Sequence, residues 1–315
     1  MITEPNVKIN LGLHVLRKRP DGFHDLETLF VPYFGIRDRL EIVTGDDWSR
    51  TLAYLKERYG AREADASQAG SLAQGEALAP LARGEALAQG EMLTQAGTLA
   101  QAVSPDGKLM ITIARAEGVD WDPLQDLTAK AYFLLAADYD LPPMKIFLEK
   151  RSPVGAGLGG GSADAAFALR MIAQLGAVAV DDATLAAYAS RLGSDCAFFV
   201  YNRPMLGTGR GEILEPYDLA LDGYRLEVFI PEGVAVSTAD AYRGIVPRIP
   251  KTSLRDVLRQ DISTWRAALH NDFETTVFAK YPALAPVKDQ LYARGAVYAA
   301  MSGSGSAFFG IYPDR

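Results

Sequence analysis

Pro153-Val154-Gly155-Ala156-Gly157-Leu158-Gly159-Gly160-Gly161-Ser162-Ala163-Asp164 is the stretch on which the reading of this chain turns. Five glycines fall within seven residues, and Ala165, Ala166, Leu169 and Ile172 follow at helical spacing. Glycine lets the backbone take positive φ and removes side chains that would hold a ligand away. A helix start just beyond adds unpaired N–H groups and the positive end of a dipole. The combination predicts an anion cradle of main-chain amides feeding a helix over 162–175.

Three readings of such a loop compete. A Walker-type loop ends in Gly-Lys-Ser/Thr, whereas this one ends Gly161-Ser162-Ala163, so that reading is rejected. A dinucleotide fingerprint is the stronger rival. Gly155, Gly157 and Gly160 fit G-x-G-x-x-G, and Asp181 or Asp182 stands near the expected acid. Against it, the strand expected over 144–149 carries Lys145 and Glu149, where a central parallel strand is almost uninterruptedly apolar. Capping of a helix over 183–192 also accounts for the two aspartates. The third reading, a glycine turn without ligand, leaves so many glycines ahead of a helix unexplained.

Toward the N-terminus, Val7, Ile9, Leu11, Leu13 and Val15 alternate with Lys8, Asn10, Gly12 and His14. This predicts a half-buried strand with one polar face. Arg19-Pro20-Asp21-Gly22 reads as a turn leading into Phe23 and His24. Toward the C-terminus, Leu192-Gly193-Ser194-Asp195 precedes the apolar run Cys196-Ala197-Phe198-Phe199. Gly193 reads as a helix end and the run as a strand, which leaves Asp195 at an element boundary. Met301-Ser302-Gly303-Ser304-Gly305-Ser306 reads as a tight turn between two strands. Taken singly, Lys8 and His24 are ordinary solvated or structural residues, and Asp195 an ordinary turn or cap.

The chain has 315 residues, 49% hydrophobic and 23% charged, which suits an ordinary soluble globular protein with room for two domains. A net charge of −7 argues against general nucleic-acid affinity. The single cysteine, Cys196, excludes an internal disulfide and suits a reducing cytosol. No run approaches the roughly 20 apolar residues of a membrane span, and the first residues lack the basic start of a secretory signal. Residues 60–104 stand apart in composition, with Gly-Glu-Ala-Leu-Ala at both 75–79 and 84–88. That short period predicts a mobile surface insertion rather than a solenoid, with partner binding as the alternative role.

Pro153-x-Gly155-x-Gly157-Leu158-Gly159-Gly160-Gly161-Ser162-x-Asp164, Pro5-Asn6-Val7-Lys8-Ile9-Asn10-Leu11-Gly12-Leu13 and Arg19-Pro20-Asp21-Gly22-Phe23-His24 together resemble the signatures of the GHMP kinases. The triple glycine is similar to the branch that phosphorylates a cytidine-diphosphate polyol. The resemblance spans most of the chain. It implies a two-domain α+β fold: a domain like ribosomal protein S5 domain 2 over 1–215 and a ferredoxin-like domain over 216–315, with the site in the cleft between them. It implies ATP-dependent phosphorylation of the polyol 2-hydroxyl, a step in non-mevalonate isoprenoid synthesis, in the cytoplasm. ATP, Mg²⁺ and the small-molecule acceptor are the implied partners, without nucleic acid or membrane.

Carried over by residue, the resemblance makes Asp195 the base and Lys8 its catalytic partner. Lys8 would also stabilise charge near the transferred oxygens. Pro153, Gly155, Gly157, Leu158, Gly159, Gly160, Gly161 and Ser162 would bind the ATP phosphates, bridged by Mg²⁺ without an assigned side-chain ligand. Asn10, Phe23 and His24 would hold the acceptor, and Ser304 lies in a C-terminal loop expected to face the site. Gly207-Thr208-Gly209-Arg210-Gly211-Glu212 also fits the family pattern, without a clear role. Departures are Ala163 for a second serine, Phe23 for tyrosine, the 60–104 insertion, and Leu124-Gln125-Asp126-Leu127 for an Asp/Glu-Asn-Leu motif. The rivals are a mevalonate- or homoserine-type kinase, a dinucleotide-dependent oxidoreductase, and a silent nucleotide-binding protein. The joint presence of Lys8 and Asp195 counts against the last.

Overall fold

A computed structural model describes residues 1–45, 49–59, 92–96 and 98–314. Its strands, in chain order, are β1 (Ile2–Thr3), β2 (Asn6–Lys18), β3 (His24–Arg37), β4 (Arg39–Thr44), β5 (Met92–Ala96), β6 (Leu99–Val103) and β7 (Leu109–Arg115). They continue with β8 (Met144–Lys150), β9 (Met205–Gly209), β10 (Ile213–Pro216), β11 (Tyr224–Phe229), β12 (Tyr298–Met301) and β13 (Phe308–Pro313). Helices and sheets are mixed as expected. The chain divides into two units: Met1–Glu4, Asp38–Arg151 and Met171–Ala179 form one, and Pro5–Arg37, Ser152–Arg170 and Val180–Arg315 the other.

The first unit is built on a six-stranded sheet in the order β1-β4-β8-β7-β6-β5. Among the described strands of this sheet, only β7 and β8 pair in parallel. A parallel pair needs a crossover, and the helix Leu127–Ala136 lies within it. Asp126, in the segment that departs from the family motif, caps this helix by accepting from Thr128 N–H at 2.9 Å. Glu149 of β8 is fully buried and accepts from Tyr59 Oη at 2.8 Å and Arg151 Nε at 2.9 Å. Met92–Ala96 and Leu99–Val103 are paired strands, so the insertion expected over 60–104 gives way to sheet at its C-terminal end. Ala100 and Ala102 are each 1% exposed, a period-two pattern hidden in alanine-rich sequence. The expectation of mobility over 60–91 and at 97 lies outside the described residues.

The second unit holds a four-stranded antiparallel sheet, β10-β9-β3-β2, and a three-stranded antiparallel one, β11-β13-β12. Val7, Ile9 and Leu11 of β2 pack in one core with Leu29 and Val31 of β3 and with Tyr298, Ala300, Phe309 and Ile311 of the smaller sheet. The strand is more deeply buried than the half-buried reading, for on its polar face Lys8 and Asn10 are 2% and 3% exposed. The glycine loop covers them, and Lys8 N–H donates to Leu158 O at 2.9 Å.

The alternation also breaks at Gly12. The β2–β3 register shifts between Leu11 and Leu13, and Gly12 takes φ +74°. Such a bulge re-aims the side chains that follow. A second difference concerns Cys196–Tyr201, which is a helix rather than the expected strand. Six apolar residues carry no period able to separate the two. Asn202, at φ 48°, ends the helix in the left-handed region.

Candidate active site

The polar face of β2 and the loop Ser152–Gly159 meet at one ammonium group. Lys8 Nζ lies 3.1 Å from Asp195 Oδ2, 2.5 Å from Asn10 Oδ1 and 3.0 Å from the Gly157 carbonyl oxygen. An ammonium has three donors, and these three contacts occupy them. Burial of the charge is thereby compensated. Asn10 is oriented in turn, with Nδ2 donating to Thr28 Oγ1 at 3.1 Å and Thr28 Oγ1 donating to Gly12 O at 2.6 Å.

Asp195 occupies the N-cap position of the helix Cys196–Tyr201, yet its side chain makes no capping hydrogen bond. The carboxylate is therefore left to Lys8 and to the cavity, with its side chain 30% exposed. Asp181 by contrast is spent on capping, its Oδ1 accepting from Thr184 N–H at 2.8 Å.

The glycine loop carries three left-handed residues: Gly155 at φ 73°, Gly157 at 76° and Gly159 at 71°. A Cβ at Gly157 would sit 2.2 Å from the Ser302 carbonyl oxygen, so the close approach of loop 301–306 also requires glycine there. Ser302 Oγ donates to Gly157 O at 3.0 Å, and Asn10 N–H donates to Ser302 Oγ at 3.3 Å. The helix following the loop starts at Gly160, two residues earlier than expected.

A cavity of about 550 Å³ opens over these groups, within the range of small-molecule sites. Lys8, Asn10, Phe23, His24, Gly155, Gly157, Gly159, Asp195 and Ser304 all line it. All of them belong to the second unit. Pro153, Leu158, Gly160, Gly161 and Ser162 do not line it. Leu158 is a core residue. Gly160, Gly161 and Ser162 form the first turn of the helix Gly160–Leu175. After the bulge it is Leu13 that lines the cavity, not His14.

Sequence reasoning missed Tyr242, Thr238 and Phe273, and gave Arg210 no role; all four line the cavity. Tyr242 stacks on His24, ring centroids 4.8 Å apart and planes at 24°, and meets Phe273 edge-on at 4.7 Å. Burial, with a smaller effect of Asp195, pushes the Tyr242 hydroxyl up to about 12, so it stays protonated at neutral pH. Burial and then the charge of Lys18 hold His24 below the usual histidine value. The Arg210 guanidinium lies 4.9 Å from the centre of the Phe23 ring. The glycines of 207–211 were the one signal in the sequence for Arg210.

The geometry joins a paired carboxylate, a buried cation, a glycine loop with room for oxygen-rich ligands and an aromatic wall. That set can deprotonate a hydroxyl beside a polyphosphate. Two family models match the chain: the GHMP kinases N terminal domain over residues 126–203 and GHMP kinases C terminal over 253–315. A Bacteroides fragilis protein named 4-diphosphocytidyl-2-C-methyl-D-erythritol kinase is 39% identical over 312 residues, covering 99% of this chain and 92% of that protein. A Parabacteroides distasonis protein of the same name matches at 39% with the same coverage. A solved structure of a 4-(cytidine 5'-diphospho)-2C-methyl-D-erythritol kinase is similar with a TM-score of 0.66 and 28% identity, over 98% of this chain and 89% of that one.

Proposed function

Because this chain belongs to the 4-diphosphocytidyl-2-C-methyl-D-erythritol kinase family and carries the GHMP kinase fold, we propose that its cavity transfers the γ-phosphoryl group of ATP to the 2-hydroxyl of that cytidine-diphosphate polyol. The observation that carries the reading is the 3.1 Å contact between Lys8 Nζ and Asp195 Oδ2 beside the glycine loop. The product would feed non-mevalonate isoprenoid synthesis in the cytoplasm.

Asp195 takes the proton of the acceptor hydroxyl, the freed oxygen attacks the γ-phosphorus, and the bond to the β-phosphate oxygen breaks to release ADP. Lys8 is placed to balance charge that builds on the transferred oxygens. The open space around Gly155, where an added Cβ would touch nothing within 4 Å, and the left-handed turns of Gly155, Gly157 and Gly159 fit a polyphosphate bound by main-chain amides. Among the described residues no cluster of three His, Cys, Asp or Glu side chains could cage a metal. Mg²⁺, which such sites bind through substrate phosphates with one or two carboxylates rather than an all-protein cage, would neutralise charge there. Asn10, Phe23, His24 and Tyr242 supply the polar and aromatic wall for the acceptor, with Ser304 lining the same cavity beside Thr238. The family domains would meet near 215–216.

The relatives' names favour this acceptor over mevalonate or homoserine, and both acids of the dinucleotide reading are engaged elsewhere, Asp181 in capping Thr184 N–H and Asp182 in an ion pair with Arg170 at 2.8 Å. The test is ATP consumption against a panel containing the cytidine-diphosphate polyol, mevalonate and homoserine. Turnover with the first alone is expected. Turnover with either of the others instead would overturn the assignment.

A further inference from the structure

Asn271 is 2% exposed, and its side-chain amide is directed wholly at backbone. Nδ2 donates to the carbonyl oxygens of Met301 and Gly303, each at 2.8 Å, while Oδ1 accepts from Phe273 N–H at 3.0 Å. The segment carrying it is tied to β2: Leu13 N–H donates to His270 O and Asp272 N–H to Leu13 O, both at 2.9 Å. Asn271 itself does not line the cavity.

The consequence falls on one peptide plane. The Gly303–Ser304 peptide is trans, and a trans peptide points its C=O and N–H in opposite directions. With the Gly303 carbonyl held toward Asn271, the Ser304 N–H is turned the other way. Gly303 and Ser304 both line the cavity, and this N–H donates to no group among the described residues. Gly303 holds φ +54°, and a Cβ there would stand 3.1 Å from Asn10 Oδ1.

We propose that Asn271 is a positioning residue that locks the 303–304 peptide so that Ser304 N–H is presented to an anionic phosphoryl oxygen. Without Asn271, two carbonyls lose their donor and the peptide is free to turn over. The turned peptide would present the Gly303 carbonyl, an acceptor, to an anion. The loss is then a donor replaced by a repulsive dipole, not simply a missing hydrogen bond. This inference rests on reading the cavity as a phosphoryl-transfer site.

The test combines kinetics with a spectroscopic readout on the full chain. Asn271→Asp keeps the acceptor for Phe273 N–H but sets a carboxylate against two carbonyl oxygens. It is expected to lower kcat and kcat/KM together by on the order of 100-fold, measured well below its Tm. Asp272→Ala removes the acceptor of Val15 N–H, 2.9 Å away, from the same segment. It is expected to destabilise the protein while keeping kcat within about threefold, since it leaves the 303–304 peptide in place. In ¹⁵N-serine-labelled wild-type protein, the Ser304 amide resonance should move downfield as inorganic pyrophosphate is added. In Asn271→Asp it should not. A stationary Ser304 resonance in the wild type would overturn the proposal even if the variant fails to fold. Near-normal kcat in Asn271→Asp, or an equal loss in Asp272→Ala, would overturn it as well. A moving Ser304 resonance in a protein that does not phosphorylate the cytidine-diphosphate polyol would sink the substrate assignment and leave the role of Asn271 standing.

Discussion

The Ser302 hydroxyl donates to the Gly157 carbonyl at 3.0 Å, joining two glycine-rich loops that are remote in sequence. The same carbonyl accepts from Lys8 Nζ, so one peptide of the phosphate loop is fixed from both sides. Gly157 is therefore more than a flexible link: its missing side chain is the space that loop 301–306 occupies.

Alanine substitutions at Gly155 and Gly157 should separate strain from collision. Both residues are left-handed, at φ 73° and 76°, and a non-glycine residue there costs about 1–3 kcal/mol. At Gly155 nothing lies within 4 Å of an added Cβ, so that strain is the whole expected cost. At Gly157 the Cβ would sit 2.2 Å from Ser302 O and 2.9 Å from Gly305 N, both backbone atoms that cannot swing aside. Thermal denaturation should show Gly155→Ala folded with a modest drop in Tm, and Gly157→Ala far less stable with the ATP KM raised. Equal Tm values would mean that the two loops do not meet this closely.

Asp195 and Lys8 should separate chemistry from architecture. Asp195→Asn keeps the shape and an oxygen for Lys8 Nζ but removes the counter-charge of a buried ammonium, so Tm should fall modestly while turnover falls by about a hundredfold or more. ATP affinity should stay close to normal. Lys8→Met removes donors from Asn10 Oδ1 and the Gly157 carbonyl as well as the partner of Asp195. Breaking a buried ion pair costs about 3–5 kcal/mol, and the access of Asp195 to water should bring this to roughly 1–3 kcal/mol. Turnover and Tm should therefore fall together in Lys8→Met. Unchanged turnover in Asp195→Asn would remove it as the base.

Glu149 gives the first unit an acid-sensitive core. Burial alone would push its carboxyl up, but hydrogen bonds from Arg151, Tyr59 and Tyr54 outweigh burial and hold it below the usual value of 4.5. The folded state therefore binds fewer protons there than the unfolded one. The stabilisation is complete above the unfolded value and is lost as pH falls through the folded one. Glu149→Gln should lower Tm at pH 7 and flatten its dependence on pH in the acid range. Parallel Tm–pH curves for variant and wild type would show that Glu149 does not drive the transition.

The sequence was most legible where a backbone requirement forces residue type. The glycine loop, the Lys8–Asn10 pair and the helix boundary at Asp195 all announce themselves locally, because positive φ, period two and a helix stop are local physics. Tyr242 and Thr238 left no such trace. They lie in a five-residue helix, Thr238–Tyr242, and matter only because that helix folds back onto His24. The Cys196–Tyr201 helix was misread because six apolar residues have no usable period. The full burial of the polar face of β2 was missed for a related reason, since its covering glycine loop lies more than a hundred residues away in the chain.

The aromatic wall yields the last prediction. Tyr242 presents a ring already stacked on His24 at 4.8 Å, beside Phe23 and Arg210 in the same cavity. A flat base in this cavity would lose about 1–3 kcal/mol of stacking on removal of one ring. Tyr242→Ala should therefore raise the acceptor KM by about tenfold or more with kcat much less affected. His24 adds a pH signature. Burial and Lys18 lower its value below 6.5, so the neutral imidazole persists to lower pH than in a free histidine. The acceptor KM should stay flat between pH 7 and 8 and rise only on acidification past the usual histidine range. Lys18→Ala removes a charge that disfavours protonation, so the acid rise should begin at higher pH. An acceptor KM with the same pH profile in wild type, Lys18→Ala and His24→Ala would exclude His24 from contact with the acceptor.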